Sequence, residues 1–126
     1  HNYCQPIPQT PEDRAELIEA ATSGNPKFFF GSDTAPHLRE NKEHSCGCAG
    51  CFTAPIVIPM LASVFEGVGR LHMLESFTSV FGAHFYGLPL SEEKITLVKE
   101  PMVIPMEYHG IVPVDAGMTY DWSIAS

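Results

Sequence analysis

Residues 28–52, FFFGSDTAPHLRENKEHSCGCAGCF, gather one Asp, two His and three Cys in one short stretch. Asp33 follows an apolar run, and a carboxylate in that position can ligate a metal or act as a base. The same residue before Thr34-Ala35-Pro36 is also a good turn former, and the pattern alone leaves both readings open. His37 can touch the same ligand as Asp33, or can be a surface residue of the loop. Cys46, Cys48 and Cys51 with His44 offer enough groups for a zinc ion. A structural zinc site, however, normally draws its ligands from two knuckles with a longer spacer between them. The other reading of CGCAGC is a tight turn, rich in Gly and Ala, whose backbone approaches a ligand closely. The chain has neither a Walker-type phosphate loop nor a Gly-x-Ser-x-Gly nucleophile elbow. His84 and Tyr86 read as packing groups at a helix end, and His72 and His109 have no partner that spacing identifies.

These residues must be positioned by the elements around them. Residues 1–10 read as an entry segment. Thr10-Pro11-Glu12-Asp13 then predicts a helix start, with Thr10 as N-cap, Pro11 at the first position and two acids at the positive end of the dipole. Arg14, Leu17, Ile18 and Ala21 share one face, and Gly24 is the expected stop. Lys27 to Phe30 is a short apolar run without alternation, which predicts a strand buried on both faces. Helix then buried strand is half of a β/α repeat, and the long loop 31–53 leaves the end of that strand where α/β proteins place their sites. A helix is expected over 54–69, regular from near Pro59. A second is expected over 72–81, then one short turn ended by Gly87. Alternation in KITLVKE and MTYDWSI predicts strands, the second with Met118, Tyr120, Trp122 and Ile124 on one face. Pro101, Pro105 and Pro113 keep these strands short or at an edge.

Composition narrows the function classes. The 126 residues carry 7 basic and 15 acidic side chains, a formal net charge of −8. That excess argues against nucleic acid and anionic membranes as partners, and no apolar run is long enough to span a bilayer. Cys4 and the three clustered cysteines are poorly spaced for a disulfide framework, so free thiols and a cytoplasmic setting are expected. The chain opens on HNYCQP without Met or a signal-like segment, which leads us to expect a fragment or a processed chain.

The run GSDTAPH, followed by KEHSCGCAGCF at the same spacing, closely resembles class II dihydroorotases, with Ser32 and Thr34 standing where the family pattern has Thr and Ser. The later FYGLP and AGMTYDWS match as well, so the resemblance covers nearly the whole chain. It implies an α/β fold that is the C-terminal part of a (β/α)8 TIM barrel. The last strand and adjacent helices, with loop 31–53, would occupy 1–90, and a short β-containing extension 91–126. The implied activity is the reversible, zinc-dependent interconversion of dihydroorotate and N-carbamoyl-L-aspartate in pyrimidine biosynthesis. Asp33 would bind the more buried of two zinc ions and act as general base. His37 and the backbone of Ala49 would contact the substrate, and the three cysteines would not be zinc ligands. A complete barrel needs about 250 residues. The resemblance therefore also implies a missing N-terminal part carrying the other ligands, an isolated chain without activity, and a homodimer when complete. The competing expectation is a non-catalytic module with a structural metal held by the cysteines.

Overall fold

A computed structural model describes residues 1–125. Helices occupy the first two thirds and short antiparallel strands the last, a mixed α/β composition. The first helix, α1 (Pro11–Thr22), starts as its sequence dictates. Thr10 Oγ1 accepts from the Asp13 N–H at 3.1 Å, and Asp13 returns the bond to the Thr10 N–H at 3.0 Å. This reciprocal pair satisfies two amide groups that the helix cannot. Its apolar face is less covered than expected: Leu17 is 59% exposed, and Thr22 is the only buried residue of the helix. The capping box fixes where this helix begins.

Lys27 to Phe30 is not a strand, which corrects the sequence expectation. No strand among the described residues pairs with it. Instead the Phe30 N–H donates to the Phe77 carbonyl at 2.9 Å. Phe29 and Phe30 are half-buried, against Phe85 and Phe77 respectively, while Phe28 stays largely exposed. Ladder pairing makes a strand, and the apolar run finds no ladder here.

Loop 31–53 carries one short helix of its own, α2 (Arg39–Lys42). The helix α3 (Val57–Gly67) begins two residues before Pro59, which is tolerated because the first-turn N–H groups have no partner within the helix. The expected helix over 72–81 and the turn after it are a single helical run over 71–86. It opens with a 3-10 turn, Leu71–Met73, widens to a π turn over Ser76–Val80 and closes as α4 (Phe81–Tyr86). A π turn disturbs the regular ladder, and the Phe77 carbonyl within it takes the outside donor Phe30. Gly87 ends the run in a left-handed cap with φ +64°, as expected.

The C-terminal strands form two antiparallel ribbons: β1 (Leu97–Val98) with β4 (Ser123–Ile124), and β2 (Met102–Val103) with β3 (Thr119–Tyr120). Residues 118–124 therefore do not form one strand with a single face. A bend at Asp121 separates β3 from β4, and Met118 and Ile124 are exposed while Tyr120 and Trp122 are half-buried. Pro101 and Pro105 flank β2, in keeping with its brevity. The core gathers where α3 meets the 71–86 run. Ala62, Phe65 and Leu74 are buried, with Phe77, Leu97 and Trp122 packed against them. Trp122 Nε1 donates to Glu66 at 3.0 Å, and Lys99 pairs with the same carboxylate. The strand region is thus tied to α3.

Candidate active site

The site loop is held from three sides. Thr34 Oγ1 accepts the N–H groups of Thr53 (3.1 Å) and Ala54 (3.2 Å), and the Ala35 N–H donates to the Cys51 carbonyl at 2.9 Å. These bonds lay the stretch 33–37 along the end of the cysteine turn. Asp33 is exposed and sits in the left-handed region, φ +41°, which Asp tolerates better than most residues. Among the described residues its carboxylate has no hydrogen-bond or ion-pair partner.

His37 is brought against the turn. Gly50 has φ +130°, and a Cβ built on it would stand 2.6 Å from the Ala35 Cβ and 3.2 Å from His37 Nε2. Only glycine allows that approach. Ala49, the residue before it, is exposed. The structure thus brings His37 and the Ala49–Gly50 backbone together. Asp33 lies at the other end of the 33–37 stretch, with no bond among the described residues joining it to His37 or Ala49.

The cysteine turn is organised by hydrogen bonds. Lys42 Nζ donates to the carbonyls of Tyr3 (2.9 Å), Cys48 (2.9 Å) and Gly50 (2.7 Å). The Gly50 N–H donates to Tyr3 O at 3.0 Å, and the Cys48 N–H to Asn41 O at 3.1 Å. His44 Nδ1 accepts from the Cys46 N–H at 3.3 Å. All four cysteines are free, and among the described residues no three His, Cys, Asp or Glu converge to hold a metal. Burial pushes the Cys51 thiol above its usual value, with Cys4 adding and Lys42 opposing.

Further out, Arg39 bridges Glu43 (3.0 Å) and Glu107 (3.1 Å), and its N–H donates to Gly110 O. Those carboxylates, Glu107 foremost, hold the guanidinium pKa above its usual value. His109 and Gly110, at φ +49° and +82°, form the two-residue turn between the bridged Tyr108 and Ile111, so His109 has a turn role. His84, expected to pack, is exposed, as is most of Tyr86. A cleft of about 590 Å³ lies elsewhere, between the 71–86 run and residues 90–97. It is lined by Phe30, Leu74, Leu90 and Ile95 and rimmed by the Lys94–Glu75 pair. It does not include the site loop, and its lining is mainly apolar. Lys42, Gly50 and Thr34 escaped sequence reasoning as individual residues. The Gly-rich turn was the only signal that pointed toward them.

No family model matches the chain. Individual proteins do. The dihydroorotase of Acinetobacter baumannii is 49% identical over 127 residues, covering 97% of this chain. That of Coxiella burnetii is 48% identical over 130 residues, covering all of it. Among solved structures, the dihydroorotase of Saccharomyces cerevisiae in complex with 5-fluoroorotic acid superposes with a TM-score of 0.91 at 41% identity. It covers 98% of this chain and 37% of its own. The Campylobacter jejuni dihydroorotase gives 0.83 at 34% identity with the same coverage. The chain spans 37% of the length of the curated relatives named here. In sequence and in fold, over nearly all of its residues, this chain is homologous to one part of the dihydroorotases.

Proposed function

We propose that the chain is the C-terminal part of a zinc-dependent dihydroorotase, which reversibly hydrolyses dihydroorotate to N-carbamoyl-L-aspartate in pyrimidine biosynthesis. The observation that carries this reading is the site loop. An unpartnered carboxylate, Asp33, stands on a left-handed backbone beside a turn that receives His37, in a chain 46–49% identical to dihydroorotases. In this reading residues 1–90 belong to a (β/α)8 barrel, the apolar run Lys27 to Phe30, which has no ladder partner among the described residues, would pair only with strands of the rest of the barrel, and 91–126 form an extension. The rest of the barrel comes from polypeptide outside this chain, and the complete enzyme is a cytoplasmic homodimer.

The donor chemistry fits zinc in part: Asp33 offers one oxygen ligand, and one is too few for a stable site. The remaining ligands of a two-zinc centre belong to the missing part. When bound, zinc supplies an activated water and a polarised amide carbonyl. Asp33 would take a proton from the water that attacks the ring carbonyl carbon. It would then give the proton to the ring nitrogen as the C–N bond breaks. The reverse transfers accompany cyclisation. His37 and the Ala49 N–H hold the substrate carboxylate away from the reacting bond.

The test is turnover of dihydroorotate by a full-length polypeptide carrying this segment, with zinc, and by its Asp33→Ala variant. The variant should lose roughly 10²–10⁴ in rate, the scale of general acid–base catalysis. Asp33→Asn, which keeps a side chain tolerant of φ +41°, reports folding separately. Near-normal turnover by Asp33→Ala with zinc loaded would sink the assignment.

A further inference from the structure

We propose that Lys42 is a positioning residue for the substrate carboxylate, acting through the peptide it grips; this rests on the reading of Ala49 given above. An ammonium has three N–H donors and no acceptor. In Lys42 each donor has its own carbonyl, of Tyr3, Cys48 and Gly50. Two of those carbonyls bracket Ala49. The peptide bond between Cys48 and Ala49 is trans, the chain's cis bond lying elsewhere. In a trans peptide the C=O and N–H point in opposite directions. Drawing the Cys48 oxygen to Lys42 therefore turns the Ala49 N–H away from Lys42.

The next peptide is fixed in the same way. The Gly50 N–H donates to Tyr3 O, so the Ala49 carbonyl of that plane points away from Tyr3. Neither polar backbone group of Ala49 has a hydrogen-bond partner among the described residues. Lys42 also consumes the nearby carbonyl oxygens that would repel an anion, and it leaves a positive charge behind the turn. The chemistry this builds suits a carboxylate, with an N–H presented outward and His37 alongside Gly50.

Lys42 itself is anchored. It ends α2, whose first residue is tied through its N–H to Gly110 O, and its ammonium lies 5.7 Å from the centroid of the Tyr3 ring. The clamp thus joins the entry segment, α2 and the cysteine turn at one nitrogen.

The experiment compares Lys42→Met and Lys42→Arg in the full-length zinc-loaded enzyme. Lys42→Met keeps the stem and removes the donors. Its KM for dihydroorotate should rise at least about tenfold while kcat stays within about threefold, the signature of lost binding rather than lost chemistry. Lys42→Arg keeps the charge in a planar fork and should fall between Met and the parent. Hydrogen exchange supplies a readout independent of turnover: the peptide spanning 46–52 should lose protection in Lys42→Met. If the parent protein does not turn over dihydroorotate, the dihydroorotase reading fails and the carboxylate-positioning role is overturned with it, whereas lost protection in Lys42→Met would still show that Lys42 holds the turn. Unchanged exchange, or a fall in kcat with KM unchanged, overturns the proposal. If Lys42→Met does not fold, the same two criteria applied to Lys42→Arg decide it.

Discussion

Replacing Gly50 by alanine should damage the stability of the site loop and, if the proposed dihydroorotase activity holds, its grip on substrate. The backbone at Gly50, φ +130°, lies where a side chain is strained. Such conformations cost roughly 1–3 kcal/mol for a non-glycine residue. The new methyl would also stand 2.6 Å from the Ala35 Cβ. Two carbons rest at about 3.5–4.0 Å, so about 1 Å of movement is needed. Ala35 cannot retreat without weakening its 2.9 Å bond to the Cys51 carbonyl, which is worth about 0.5–1.5 kcal/mol. Together these give a loss of roughly 2–4 kcal/mol. His37, whose Nε2 would lie 3.2 Å from the same methyl, is pushed off its place. A displacement near 1 Å can cost up to about 10²-fold in kcat/KM. Urea unfolding and steady-state kinetics on the full-length enzyme measure the two effects. An alanine variant with the parent's unfolding midpoint and KM would refute the close approach on which this reasoning depends.

Two further outcomes are expected. Simultaneous Ser replacement of Cys46, Cys48 and Cys51 should leave the zinc content of the full-length protein unchanged by metal analysis; loss of zinc would restore the cluster as a ligand set. Lys99 first, then Trp122, hold the Glu66 carboxyl below its ordinary value of 4.5. The linked stability is therefore fully present above that value and lost as pH falls through the lowered one. In Glu66→Gln the drop in urea midpoint between about pH 7 and pH 3 should be smaller than in the parent; an equal drop would show that this carboxylate is not coupled to folding.

What was legible in the sequence is what short-range chemistry decides. Thr10 and Asp13 lie three residues apart and bond each other, so the start of α1 could be read directly. Gly87 likewise announces its own left-handed cap. The 71–86 run continues through Gly82 where the sequence predicts a helix and then a separate turn. Gly82 breaks no helix, and its missing side chain leaves room for the Phe29 ring, whose Cδ2 would lie 3.2 Å from a Cβ there. Alternation in 118–124 could not reveal the bend at Asp121, because β3 and β4 answer to different partner strands. The apolar run ending at Phe30 was read as a strand on composition, but a strand is a pairing property. At the site, Asp33 and His37 stand out by type and position, while their roles, and Ala49, follow only from the family resemblance. Lys42 and Gly50 do not stand out in the same way, since Tyr3 and Ala35, which define their roles, are remote in the chain.

The ties that hold the site loop also determine when it can form. His1 Nε2 bonds Glu43 across 42 positions, Lys42 reaches Tyr3 O across 39, and Asn2 exchanges side-chain and backbone bonds with Asp115 across 113. Each contact closes a large loop of chain, and that entropy is lost before the contact returns any stabilisation. The capped helix α1 needs no such closure. Forming the loop that carries Asp33, His37 and Ala49 therefore costs more closure entropy than forming α1. The loop's geometry requires residues 1–3, and through Asn2 the distant Asp115, to be brought to its side.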